Sequence, residues 1–347
     1  MKSLLVFLMA CLHPAFGKVT VVSNQAELET ALGILANGDV LRIGPGEYRP
    51  GNTVAGVANL TVEALDRSDR PVFEGGNQAW HFTRTPGLKL KNLVARGQAG
   101  NGFNLDDGGK PDDPVENVLI EGLLVEDIGP KGNFDGIKCS GLAGLVIRNC
   151  EISGWGGQAI DLVGCRDVLI TGCKITGKPG FSQNTGPQFK GGCEDITIEK
   201  CVLLNAGERP IQAGGSTGKD FFRPPGAKYE ARRIFIRDNV IEGGVCATAF
   251  TGVTEVEFTG NKIIRPTKWI FRILQETREP GFKPCGNVKV SGNEFIFRRE
   301  DVGTEINIGE GTAPETFVFE NNRWFAEDNP SLSKPTLPVE ETGGRYE

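Results

Sequence analysis

Histidine is nearly absent from this chain: two occur in 347 residues, and His13 falls in an apolar leader, so His81 stands alone in the rest. A catalytic triad turning on histidine and a multi-histidine metal site are thereby all but excluded. Positive charge is also in deficit, with 38 Lys and Arg against 44 Asp and Glu and a formal net charge of -6. That balance offers no overall basic footprint for nucleic acid, although it permits a local basic cleft. Beyond the leader, no apolar run approaches the ~20 residues that a membrane-spanning helix needs. No Cys-x-x-Cys pair is present to suggest zinc.

Glycine, by contrast, is plentiful. Its 48 residues are about double the usual share and follow no collagen period, which implies many tight turns. The opening MKSLLVFLMACLHPAFG has one lysine, an apolar stretch and a small-residue end, and reads as a signal peptide over residues 1–17. The remainder is expected to be secreted or periplasmic.

One phrase recurs along the chain: GLKLKNLVARG, GLVIRNCEISG, DVLITGCKITG, DITIEKCVLLNAG, RIFIRDNVIEGG, EVEFTGNKIIRP and NVKVSGNEFIF. Each is a short β-branched strand, a tight corner and a second strand. Corner residues fall at Leu65, Leu93, Leu123, Cys150, Cys173, Cys201, Asn239, Asn261, Asn293 and Asn322, in steps of 22 to 38. A variable unit of that size fits an all-β, single-stranded, right-handed parallel β-helix of about ten coils over residues 18–329, each coil stacked ~4.8 Å above the last. A leucine-rich repeat would hold a tighter frame, and a propeller blade needs about twice the length. Asn24-Gln25-Ala26-Glu27 has the form of a capping box opening a helix that would cover the first coil. Residues 330–347 read as an extended tail.

Eight cysteines follow the leader. Three share the corner slot that asparagine fills later, which predicts stacked thiols continuing into an asparagine ladder, with disulfides between adjacent rungs as the alternative.

A third strand also repeats, as FNLDDG, GIKCSG, AIDLVG, QFKGG, PIQAGG and IFRIL. Alternation turns Ile137, Ile160 and Phe189 inward and Asn104, Lys138, Asp161, Lys190, Gln212, Arg272 and Asn307 outward, provided a bulge at Gly191-Gly192 absorbs one residue near Lys190. The long insertions 177–186 and 215–231 flank this strand and would wall a groove over it. Within it Lys190, Arg209 and Asp161 are candidates for catalysis, Lys138, Gln212 and Arg272 for substrate binding, and Trp155 for stacking on sugar. Exposed lysines are common enough that a solvated face accounts for any one of them. Lys138 and Lys190 flank Asp161, and a lysine near another cation would have its pKa lowered toward that of a base. Asp106, Asp107, Asp112, Asp113 and Asp135 are oxygen donors for Ca2+, although their spacing matches no EF-hand.

The stretch VVSNQAELETALGILANGDVLRIGPGEYRPG resembles the start of secreted pectate-lyase-like β-helix proteins, notably the alginate lyase and chondroitinase B family, polysaccharide lyase family 6. The resemblance implies a lysine and an arginine on neighbouring rungs as the reacting pair, often aided by calcium. Their nearest matches here are Lys190 in QFKGG and Arg209 in ERPIQAGG, while the family's usual Asn-x-Lys-Ser and Leu-Arg-His-Gly are absent. The expected activity is a lyase cleaving an acidic, uronic-acid-containing polysaccharide. A glycoside hydrolase using Asp161 with Asp135 or Glu208, a C5-epimerase and a non-catalytic carbohydrate-binding or envelope protein stand as alternatives. A capped rod needs no partner for stability, so a monomer is expected.

Overall fold

The computed structural model describes residues 17–347, and the signal peptide expected at 1–17 falls outside them apart from Gly17. The chain winds into three parallel sheets of 13, 12 and 10 strands, in which each strand pairs with its counterparts one turn before and one turn after. This is a parallel β-helix. The first sheet carries a path of twelve rungs, two more than the ten-strand third sheet, because the short outermost turns escape the repeat pattern.

The alternation seen in the sequence sets this geometry. Isoleucine, valine, leucine and phenylalanine at every second position point into one continuous core running the length of the rod. Each such side chain contributes about 1.5–3 kcal/mol when fully buried. At the corners Asn239, Asn261 and Asn293 each donate a side-chain N–H to the Oδ1 of the next rung, at 3.0, 3.1 and 2.9 Å. Asn239 also accepts from the backbone of Cys201, joining the asparagine ladder to the cysteine corners. All eight cysteines among the described residues are buried and free, so the stacked-thiol expectation holds over the bridged one.

Both ends are covered. Helix α1 (Gln25–Leu32) starts at the expected capping box: Glu27 N donates to Asn24 Oδ1 and Ser23 N donates to the Glu27 carboxylate. Its Leu28 and Ala31 lie on the first coil. Residues 330–347 fold across the other end, where Arg345–Tyr346 add a short parallel strand and Glu341 accepts from Asn322 Nδ2 and Trp324 Nε1.

The third sheet carries the candidate site, and only its strands are numbered: β1 (Asn52–Ala55), β2 (Trp80–Thr83), β3 (Phe103–Asp106), β4 (Ile137–Ser140), β5 (Gln158–Val163), β6 (Thr185–Lys190), β7 (Ile211–Gly214), β8 (Cys246–Thr251), β9 (Trp269–Leu274) and β10 (Ile306–Ile308).

Candidate active site

Register on the third sheet makes two outward columns. One runs Thr53, His81, Asn104, Lys138, Asp161, Gln188, Gln212, Ala249, Arg272, Asn307. The other, two residues further along each strand, runs Ala55, Thr83, Asp106, Ser140, Val163, Lys190. Lys190 therefore belongs beside Val163, and the bulge expected at Gly191-Gly192 is not needed to turn it outward. Phe189 points inward as expected, stacked on Leu162.

Over β2 to β6 these columns form the floor of a cleft of about 760 Å3. Asn101 and Asn133 line one wall, while Asp107–Gly109, Ser216–Gly218, Phe221 and Arg223 line the other. The second wall is tied across the rod. Arg223, from the insertion after β7, donates to both oxygens of buried Asp107, which follows β3. Glu230, fully buried at the base of the same insertion, accepts from Gly191 N, Thr217 N, Thr217 Oγ1 and Thr277 Oγ1 at 2.6–2.9 Å.

At the centre, Asp161 is 1% exposed beneath two amines. Lys138 Nζ lies 2.8 Å from Asp161 Oδ2 and 2.8 Å from Asp135 Oδ2, and Lys190 Nζ lies 2.9 Å from Asp161 Oδ1. Burial pushes the Asp161 carboxyl up, but the charges of Lys190 and Lys138 outweigh it and hold the group below the usual carboxylate range. Asp135 is pushed up, by burial first and then by the Asp161 charge, against the pull of Lys138. For Lys138, burial favours the neutral amine, yet Asp161 and Asp135 overcome it and raise its pKa. The lowering expected for a lysine near another cation does not occur at Lys138, because two carboxylates each sit 2.8 Å from its amine.

A second station occupies the β2 and β3 end. His81 Nε2 lies 2.6 Å from Asp106 Oδ2, while Thr83 Oγ1 and Gly108 N donate to Asp106 Oδ1 at 2.6 and 2.9 Å. Burial raises the Asp106 pKa, but the Thr83 and His81 bonds outweigh it and leave the group lowered. The ionised carboxylate only accepts, so Nε2 carries a proton in this contact. Parity could have found this pair. Asp106 stands two residues after Asn104 on one face, and WHFT has the same alternation as the repeats that were read.

Several candidates lie elsewhere. Arg209 pairs with Thr185, five residues before Lys190, which sets it about 16 Å along the strand direction and outside the cleft. The insertion ahead of β6 shifts the register that the spacing alone suggests. Trp155 is fully buried and donates to the Thr185 carbonyl at 2.7 Å, so it anchors a turn and offers no face to a sugar. Gln212 is 6% exposed under the covering loops. Arg272 sits beyond it, its guanidinium 4.9 Å over the Trp269 ring. Lys138, Asp161 and Lys190 do converge in the cleft.

Four of the five aspartates named as oxygen donors are already partnered. Asp106 is bound to His81 and Thr83, Asp107 to Arg223, Asp113 to Arg84 and Asp135 to Lys138. Among the described residues no group of three His, Cys, Asp or Glu side chains is placed to hold a metal ion.

A parallel β-helix with a walled, charged cleft on one sheet is the class defined by fold and geometry. Residues 79–263, more than half of the chain, match the model for the right handed beta helix region, and the chain belongs to that family. A polygalacturonase from Cochliobolus carbonum is 24% identical over 172 residues, 46% of this chain and 45% of that protein, so the chain matches less than half of that relative's length. Among solved structures, an alginate lyase from Paenibacillus sp. superposes with a TM-score of 0.54 at 18% identity over 84% of this chain and 99% of that one. The A-module of a mannuronan C-5 epimerase from Azotobacter vinelandii gives 0.58 at 12% identity over 94% and 88%. At these identities the likenesses establish the fold.

Proposed function

We propose that the protein is an exported polysaccharide lyase that cleaves a uronic-acid-containing polymer by β-elimination in this cleft. The observation that carries the reading is the convergence of two lysine amines on one buried carboxylate, Asp161, in the floor of a walled groove. The C5 proton of a uronate leaves only when the adjacent carboxylate is neutralised. Lys138, held as an ammonium by Asp135 and Asp161, supplies that fixed charge. Lys190 is assigned as the base that takes the C5 proton, a role that requires its amine to give up a proton to solvent before the step. The C5–H electron pair becomes the C4–C5 double bond, the C4–O bond breaks, and the departing oxygen takes a proton from water. The alginate lyase and polygalacturonase likenesses support an acidic polysaccharide as the polymer class.

A hydrolase needs two carboxylates that reach the glycosidic bond from opposite sides. Asp135 and Asp161 are both buried and share the Lys138 ammonium, which disfavours that chemistry. The test is incubation of the mature protein with alginate, pectate and glycosaminoglycans while following the ultraviolet absorbance of unsaturated uronate. Rising absorbance is expected. New reducing ends without it would indicate hydrolysis, and altered uronate stereochemistry in an uncut polymer would indicate epimerisation.

A further inference from the structure

The two ends of the cleft are built differently. At the β2 end the next outward positions, Thr53 and Ala55 on β1, are exposed, so the floor continues into solvent. At the β6 end it stops. Beyond Lys190 the outward residues of the next two strands, Gln212, Ala249 and Thr251, are 6%, 0% and 0% exposed. The segment Gly214–Thr217 lies directly on β6: a Cβ at Gly215 would stand 2.7 Å from Gln188 Nε2 and 3.2 Å from Lys190 Cδ. Glu230 fixes this barrier, because it accepts from Thr217 of the segment, from Gly191 of the turn after β6 and from Thr277 of the next loop. Four donors on one fully buried carboxylate make a wall that substrate binding would not displace.

We infer that the cleft is blind at the Lys190 end and open at the His81 end, so that it receives a polysaccharide by one chain terminus and cuts in exo fashion. The inference rests on the proposed carbohydrate substrate and adds to it the mode of attack. Four rung spacings separate β2 from β6, about 19 Å of floor. A short oligosaccharide fills that length, with its terminal unit against Lys190 and the polymer leaving past His81 and Asp106. The charged groups sort accordingly: Lys138 and Lys190 meet the reducing-end uronate, whose C4–O bond links it to the rest of the chain, and the His81–Asp106 pair meets a unit nearer the mouth.

Oligouronates of defined length, prepared from alginate and from pectate, test this directly. Each is used untagged, with a bulky aromatic tag on its reducing end, and with the same tag on its non-reducing end, and binding to the full mature protein is measured calorimetrically. A tag on the reducing end is expected to weaken binding more than about tenfold, while one on the non-reducing end leaves it nearly unchanged, and the reverse preference overturns the inference. On intact polymer, one product size is expected from the earliest time point. Equal tolerance of both tags, or exclusion of both, overturns the blind cleft even if the untagged oligomers bind. Failure of every untagged oligouronate, and of untagged glycosaminoglycan oligomers measured alongside them, overturns the carbohydrate reading beneath it.

Discussion

Asp161 lies beneath two amines that no other carboxylate holds together. Asp161→Asn leaves both facing a neutral amide in a buried setting, and breaking such a pair typically costs about 3–5 kcal/mol. Denaturant unfolding should show that loss, together with loss of activity. Asp135→Asn should cost less at neutral pH, because burial already opposes the ionised form there. The signs of the pH dependence follow. Asp161 and Asp106 are depressed in the folded state, so their contribution is present above the unfolded value of about 3.9 and is lost as pH falls through the folded values. Asp135 is raised, so its protonation favours the folded state as pH falls toward that unfolded value. Stability profiles of the two variants should separate these opposite limbs, with Asp161→Asn removing part of the acid loss and Asp135→Asn removing the gain. Lys138, Asp161 and Lys190 were legible in the sequence because strand parity reports which face a residue occupies. Arg209 was misplaced because parity says nothing about register across an insertion, and Trp155 because a tryptophan beside a loop reads the same whether it faces solvent or fills a turn.

Among the elements, the insertion over residues 215–231 is the one that makes a cleft from a sheet. Its attachments lie far apart in the chain, Arg223 to Asp107 and Glu230 to Gly191 and Thr277, so no local pattern announces them. Glu230→Gln keeps the shape but turns an N–H donor toward groups that already donate, a mismatch of about 1–3 kcal/mol. The expected outcome is faster amide hydrogen exchange over 214–217 and around Gly191, with the Asn239–Asn322 ladder unchanged. Phe221, 63% exposed at the rim, rides on the same insertion. The strands were easier to read than this loop because they repeat, and each repeat checks the others.

Over the whole molecule, the fold was legible because a solenoid applies one local rule many times: inward apolar residues, a corner slot, a turn. The ladder that results carries a cost when broken. Asn261→Ala leaves Asn293 Oδ1 with only the backbone N–H of residue 261 and strands the two Asn239 N–H groups and the Ile236 carbonyl, and each stranded group amounts to about 1–3 kcal/mol. A large fall in Tm is expected, checked by calorimetry against an exposed-site control such as Glu47→Gln. The eight free thiols among the described residues are all buried, seven of them inside the same continuous core, so a thiol reagent should label none of these in the native protein and all after denaturation. What binds scaffold to function is the claim that chemistry occurs where Lys138 and Lys190 meet Asp161, with Arg209 outside the cleft. The most direct test is formation of unsaturated uronate by Lys190→Ala, Lys138→Ala and Arg209→Ala on a polymer that the wild-type protein cleaves. Loss of product with both lysine variants and near wild-type product with Arg209→Ala is the predicted result; loss with Arg209→Ala while either lysine variant stays active would contradict it.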